Sequence, residues 1–222
     1  GGLNPSYSVG DVIVITDHLA LPILGGQNPL RGPNDEEMGP RFPPTSNAYD
    51  EELRSLALDS AKKLGFQDFV RSEGTYCFVS GPMYESKSEC KFLRGAGGDA
   101  VGMSTMPELV TAHHSGMKIL CLSVITNKVI VSGDEGPAAS HQEVLDAVNK
   151  RSTQLQTLIQ EIVRSSSGFI EKLPALPAIS LDIGSDQDVN EKKNSDISYI
   201  RADYMAMIAL GVIGTLFLKR TS

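Results

Sequence analysis

Short runs of apolar residues, each followed by small and polar residues, recur along the first three-quarters of this chain. The most regular of these runs are Thr75–Val79, Asp99–Met103 and Lys118–Thr126. Continuous apolar runs are typical of buried strands, and side chains at the carboxyl ends of such strands line a common crevice. We therefore predict that Glu85, Met103 and Asn127, which follow or end these runs, lie in one pocket.

Helical patterns separate the strands. Segments 49–64, 87–94 and 140–162 carry apolar residues at helical spacing, and a further helix is expected from Thr105 toward Gly116. Capping-box patterns mark three of the helix starts, namely Ser86 with Glu89, Thr105 with Glu108, and Ser140 with Glu143. Alternating strands and helices predict a mixed α/β fold with a largely parallel central sheet flanked by helices.

The pattern also predicts where the α/β domain ends. Residues 1–164 contain all the regular strands and helices, whereas residues 165–203 are rich in Ser, Pro, Gly and acidic residues, as in a flexible linker. Residues 17–44 show no clear periodicity and are expected to form a long loop, and loops of that length are usually functional or interfacial.

Residues 204–220 form a short apolar segment that ends in Lys219 and Arg220. The segment is shorter than the roughly 18 to 20 residues that a membrane-spanning helix needs. Three interpretations are open: a short tail anchor that contacts a membrane, an amphiphile-binding stub, or an unrelated tail such as a splice variant would supply. We favour the last.

Composition and charge narrow the class of protein. Of the 222 residues, 41% are hydrophobic, which suffices for a globular core, and the net charge is −7 without a basic stripe. Nucleic acid is therefore not an expected partner. The three cysteines are Cys77, Cys90 and Cys121, and their odd number favours buried, reduced thiols of a cytoplasmic protein. No His, Cys or Glu spacing points to a metal site.

The residues at the strand ends suit a flat heterocycle with a polar rim. A carboxylate such as Glu85 accepts hydrogen bonds from adjacent N–H groups, and an amide such as Asn127 both donates and accepts. Glu85 could instead be a solvated loop glutamate, and Asn127 an ordinary turn residue. The residue types alone do not decide between these roles and a binding role.

Several motifs agree on one family. The segments Ser80-Gly81-Pro82-Met83-Tyr84-Glu85, Asp99–Thr105, Ile119–Asn127 and Gln27–Asn34 make the chain resemble the trimeric purine nucleoside phosphorylases over residues 1–164. These enzymes use inorganic phosphate to displace a purine base from the sugar of a nucleoside, and they need no other cofactor. The resemblance implies purine salvage from inosine, guanosine and their deoxy forms.

The resemblance also implies roles for individual residues. Glu85 and Asn127 match the residues that hold a 6-oxopurine, and His141 matches the histidine that contacts the ribose 5′-hydroxyl. Phe42 matches an aromatic residue that covers the sugar in a neighbouring subunit's site, so a homotrimer is expected. The remaining substrate contacts implied are Tyr84, Met103, Ser104, Thr126, Val144 and Gly1.

The resemblance covers the base and sugar pocket better than the phosphate site. Only Ser104 matches a phosphate contact, because the family's phosphate loop lies in a half that precedes Gly1. We therefore expect a carboxyl-terminal portion of such an enzyme, incomplete at its amino-terminal side and weak or inactive alone. The alternative function is a non-catalytic purine-binding or assembly module, with or without a membrane tether. A methylthioadenosine phosphorylase is disfavoured by Asn127, because an aspartate tends to hold that position there.

Overall fold

The structure, a computed structural model, describes residues 1–131, 141–171, 204–210 and 213–220. The strands are β1 (Val12–Val14), β2 (Asp17–Ala20), β3 (Val70–Arg71), β4 (Thr75–Phe78), β5 (Ala100–Gly102), β6 (Lys118–Val124), β7 (Tyr204–Leu210) and β8 (Ile213–Arg220). The helices are α1 (Leu21–Leu24), α2 (Glu51–Lys63), α3 (Lys87–Gly95), α4 (Met106–His114), α5 (His141–Ser165) and α6 (Ser167–Ile170).

The described strands form two sheets. A five-stranded sheet has the order β3-β1-β6-β8-β7, in which β3 pairs with β1 in parallel and the other neighbours are antiparallel. A three-stranded sheet has the order β2-β4-β5 and is wholly parallel. The mixed α/β class with parallel strands and flanking helices is confirmed. The sequence had suggested that β6 lies in the same sheet as β4 and β5. It lies instead in the larger sheet.

The apolar runs have a simple explanation, because β1 and β6 are buried on both faces. Val12 and Val14 pack with α2 and α5, whereas Ile13 and Ile15 point into the core that includes Tyr76 and α4. A strand covered on both faces has no reason to alternate polar and apolar residues. Burial of each such side chain contributes about 1.5 to 3 kcal/mol, so these two strands anchor the fold.

Helix starts agree with the sequence in one case and differ in another. Ser86 and Glu89 form the predicted capping box at the start of α3. The predicted cap at Thr105 is wrong: its side chain makes no capping hydrogen bond, because the residue has a φ of +81° that turns it away from the helix. Ser140 lies outside the described residues. Asp50, which the sequence had placed inside α2, is its N-cap and accepts from the Leu53 amide.

Two parts of the chain differ from the expected boundaries. Asp17–Ala20, expected in a loop, forms β2 because its backbone pairs in parallel with β4. Residues 204–210 and 213–220, expected as one apolar segment, form the two antiparallel strands β7 and β8. No helix among the described residues is long and apolar enough to cross a membrane. Helix α5 ends at Ser165, close to the predicted boundary, and residues 172–203 of the proposed linker lie outside the description.

Candidate functional site

The dipeptide Gly1-Gly2 joins the two sheets. The Gly1 nitrogen donates to the Val101 carbonyl at 2.7 Å, and the Val101 amide donates back to the Gly1 carbonyl at 2.8 Å. The Gly2 amide donates to the Asn127 carbonyl at 2.8 Å. The end of β5 and the segment that follows β6 are therefore held together at one point, although they belong to different sheets.

Asn127 is buried at this junction, with 9% of its surface exposed. The hydroxyl of Thr126, also buried, donates to Asn127 Oδ1 at 3.1 Å and so fixes the plane of the amide. The other amide atom, Nδ2, faces Gly1, because a Cβ added to Gly1 would lie 3.5 Å from it and only 2.8 Å from Val129. A side chain at position 1 would therefore clash with Val129 and come into van der Waals contact with the amide.

Glu85 approaches the same glycine from the other side. It is half-buried and immediately precedes the Ser86 cap of α3, so the helix start fixes its backbone. Burial lowers the pKa of the Gly1 amino group to about 6, and the negative charge of Glu85 is the largest influence that opposes this shift. The charge of Glu85 thus acts on Gly1, the residue that Asn127 Nδ2 faces.

Met103 contacts the loop between β4 and α3, which carries Tyr84 and Glu85. The Met103 side chain packs on Gly81, where an added Cβ would come within 2.5 Å of its sulfur, and Gly81 has a φ of +65°. Tyr84 and Glu85 line an open cavity of about 380 Å³ together with Met83. The ends of β4 and β5 therefore meet as predicted, and a glycine is required at the point of contact.

Ser104 follows Met103 at the start of α4. Its hydroxyl is exposed and lies 3.2 Å from the Thr105 hydroxyl. Because Thr105 does not cap the helix, the amino-terminal N–H groups of α4 receive no side-chain acceptor from it. Helix starts of this kind attract anions.

The other predicted site residues, on α5 and in the loop that holds Phe42, have no described contact with Gly1, Glu85 or Asn127. Val144 is buried on α5, and His141 is the first residue of that helix, but its side chain lies outside the description. Phe42 is 85% exposed and lines a second cavity, of about 690 Å³, with His18 and Arg41. The lining residues of the two cavities do not overlap. Within the chain, therefore, Phe42 does not join Glu85.

Sequence reasoning missed the residues that support the site. Val129 and Val101 flank Gly1, and Tyr76 lies beneath the Ser104 turn, but no spacing in the sequence connects them. A usable signal existed only for Gly81, since a Gly-Pro dipeptide marks a turn. Within the described ranges, no three His, Cys, Asp or Glu side chains are grouped so as to hold a metal ion.

Comparison with known proteins places this site in a family. A family model described as "Phosphorylase superfamily" matches residues 1–164. Purine nucleoside phosphorylase of Bos taurus is 45% identical over 165 residues, which cover 74% of this chain and 57% of that protein.

Solved structures agree. Schistosoma purine nucleoside phosphorylase in complex with hypoxanthine superposes with a TM-score of 0.71 and 41% identity, covering 78% of this chain and 59% of that one. Isoform 2 from Schistosoma mansoni, in complex with cytosine and ribose-1-phosphate, superposes with a TM-score of 0.71 and 45% identity, covering 73% and 57%. The chain thus spans a little more than half the length of these relatives.

Proposed function

The chain belongs to the phosphorylase superfamily, and from that premise we propose that it serves the phosphorolysis of purine nucleosides. The products are the free base and ribose or deoxyribose 1-phosphate. Inosine, guanosine and their deoxy forms are the proposed substrates, inorganic phosphate is the co-substrate, and no further cofactor is required. The relatives solved with hypoxanthine and with ribose-1-phosphate support both halves of this reaction.

Two features of Gly1 support the proposal: the charge of Glu85 acts on its nitrogen, and Asn127 Nδ2 faces it. The Glu85 carboxylate accepts the N–H groups on the pyrimidine edge of hypoxanthine or guanine. Asn127 addresses the opposite edge, where Nδ2 donates to the 6-oxo group. Its Oδ1 accepts from Thr126 through one lone pair, and a second lone pair remains for a protonated N7.

This arrangement favours departure of the base. When phosphate adds to C1′, the C1′–N9 bond breaks and its electron pair moves into the purine, so that N7 gains a proton from solvent. The contact between N7–H and Asn127 strengthens as this charge develops, and a contact that strengthens in the transition state lowers the barrier. Loss of one such preorganised contact typically costs about 3 kcal/mol.

Calorimetry with hypoxanthine, guanine and adenine tests the pocket. We expect guanine and hypoxanthine to bind and Glu85→Gln to weaken both by roughly 10- to 100-fold, because a charged acceptor is lost. The matched control is Glu37→Gln, an exposed loop carboxylate. Phosphorolysis of inosine with excess phosphate is measured on the same samples. Failure of both 6-oxopurines to bind, or tighter binding of adenine, would overturn the proposal.

Asn127→Asp tests the choice of base. An aspartate in this place accepts but does not donate, so it repels a 6-oxo group and suits a 6-amino group. We expect guanine affinity to fall at least about tenfold while adenine affinity rises. Calorimetry with both bases measures the change. Unaltered selectivity would mean that Asn127 does not read the 6-position.

We also propose that the chain acts as a cyclic homotrimer in which Phe42 covers the sugar bound by a neighbouring copy. The exposed ring, in a cavity separate from that of Glu85, supports this proposal. Light scattering after gel filtration measures the assembly. Phe42→Ala should weaken inosine binding but not hypoxanthine binding, whereas Met38→Ala, in the same loop, should change neither. A monomer that binds inosine with full affinity would refute the arrangement.

The cytoplasm is the proposed location. All three cysteines are buried and none forms a disulfide, which suits a reducing compartment. Membrane contact through residues 204–220 is the alternative, and fractionation of cells that express the chain with and without these residues distinguishes the two.

A further inference from the structure

The hydroxyl of Tyr76 is buried and makes no hydrogen bond of good geometry, although groups of Ser104 and Thr105 lie close to it. The residue is 1% exposed, and the oxygen is one of two buried side-chain polar atoms that lack a partner in the described part of the chain. Burial of a hydroxyl without a partner lowers the stability of a protein. Such an atom in a native core calls for an explanation.

The position of this hydroxyl is set by the neighbouring strand. Tyr76 on β4 pairs with Ala100 on β5, and its ring lies over Gly102 two residues further on. A Cβ added to Gly102 would come within 2.2 Å of the hydroxyl oxygen. The absence of a side chain at Gly102 therefore lets the phenol reach the turn that carries Ser104.

The groups nearest to this hydroxyl belong to that turn. Burial raises the pKa of Tyr76, and nearby hydrogen-bonding groups of Ser104 and Thr105 offset part of the increase. The Ser104 hydroxyl is instead engaged with Thr105 at 3.2 Å. Thr105 is buried and has a φ of +81°, a backbone conformation that residues other than glycine rarely adopt. Strained backbone of this kind persists only when its surroundings impose it.

We infer that Tyr76 is a positioning residue for an oxyanion at Ser104. When the anion binds, the Tyr76 hydroxyl donates to Ser104 Oγ, and the Ser104 proton, released from Thr105, donates to the anion. The uncapped start of α4 supplies the complementary positive end. Tyr76, Ser104 and the anion thus form a two-step hydrogen-bond chain.

This inference rests on the proposed function, in which inorganic phosphate is the anion at Ser104. It makes an unusual pair of predictions for Tyr76→Phe. Because the lost hydroxyl has no partner in the unliganded chain, the unfolding midpoint should stay the same or rise. Phosphate affinity should fall roughly 3- to 10-fold, the equivalent of one neutral hydrogen bond.

The experiment titrates the intact chain with inorganic phosphate, followed by ³¹P NMR, and measures thermal unfolding of the same samples. Tyr49→Phe is the matched control: its buried hydroxyl pairs with His18 Nδ1 at 3.0 Å, so this variant should lose stability but keep its phosphate affinity. A double-mutant cycle with Ser104→Ala then measures whether the two residues act on phosphate affinity together, which a purely structural role of Tyr76 would not produce. If the two hydroxyls act in series, the double variant binds phosphate no more weakly than Ser104→Ala alone.

The outcomes separate this inference from the proposed function. Four results would each overturn the role of Tyr76. In two of them, Tyr76→Phe binds phosphate as tightly as the parent, or Tyr76→Phe is less stable than the parent. In the other two, the effects in the double-mutant cycle are additive, or the parent does not bind phosphate. Failure of hypoxanthine and guanine to bind, with phosphate affinity still sensitive to Tyr76, would overturn the proposed function alone.

Discussion

At the scale of single residues, the pocket depends on how an amide is oriented. Asn127 is held by its own neighbour, since Thr126 donates to Oδ1 and leaves Nδ2 pointing toward Gly1. An asparagine amide can rotate by half a turn and exchange its donor for its acceptor, and that rotation would present the wrong atoms to a purine. The Thr126 hydroxyl therefore serves specificity as well as stability.

Thr126→Val should reveal both contributions. The change keeps the shape of the side chain but leaves Asn127 Oδ1 without its buried donor, so stability should fall by about 1 kcal/mol. Guanine affinity should fall roughly 3- to 10-fold, because the amide is no longer fixed. Denaturant unfolding and calorimetry measure the two effects. Thr126→Ser retains the hydroxyl and is the control; equal behaviour of both variants would contradict the argument.

A second residue-scale prediction concerns pH. Burial lowers the pKa of His18, and the nearby Asp17 charge only partly opposes the shift. Burial also raises the pKa of Tyr49, so its hydroxyl remains protonated and donates to neutral His18 Nδ1. The unfolded chain then binds a proton more readily than the folded one, and stability must fall as pH drops below about 6.5.

Denaturant unfolding at pH 7.5 and 5.5 measures this effect. The parent should lose stability between the two values, and His18→Gln should lose less, because the titrating group is gone. An identical loss in both proteins would show that other groups are responsible.

At the scale of elements, packing between α3 and β4 leaves no room at Gly98. A Cβ there would lie 2.2 Å from Cys77 Sγ and 3.0 Å from the Leu93 carbonyl. In this chain the sulfur of Cys77 occupies the space that an alanine would need.

Gly98→Ala should therefore destabilise the chain by about 1 to 3 kcal/mol through overpacking. Gly95→Ala is the matched control, since nothing lies within 4 Å of its added Cβ, and it should be neutral or slightly stabilising. Adding Cys77→Ala to Gly98→Ala should cost less than the sum of the two single changes. Denaturant unfolding of the four variants measures the cycle, and strict additivity would refute the contact.

The elements also show what a sequence can and cannot reveal. Ser86 was predictable because a capping box is a local motif. Thr105 carried the same capping pattern but has a backbone conformation imposed by its surroundings. The position of the Tyr76 hydroxyl depends on Gly102 in the neighbouring strand, and no local spacing in the sequence shows that the two residues are in contact.

At the scale of the whole molecule, β8 lies between β6 and β7 in the larger sheet, so that β6 is not an edge strand. It pairs with Lys118–Ser123 of β6, the strand that leads to Thr126 and Asn127. Uncovered sheet edges are prone to pair with other chains. Residues beyond the family match therefore bear on the strand that supplies the pocket, even though they lie outside the similarity itself.

Thr215→Pro tests this pairing. Thr215 lies in the interior of β8, opposite Cys121 of β6 and Ala209 of β7, so its amide faces one neighbour or the other and a proline removes a ladder bond. We expect a loss of about 1 to 3 kcal/mol and faster amide exchange along β6. Thr215→Val keeps the amide and is the control. Unchanged exchange at Lys118–Ser123 would show that β8 does not protect β6.

The bond from the Gly2 amide to the Asn127 carbonyl offers a natural reporter of the pocket. This bond lies at the junction of the two sheets, so the rate at which the Gly2 amide exchanges with deuterium measures how often the junction opens. A single resolved NMR signal would then follow the integrity of the binding site in the empty protein, without a ligand or an added probe.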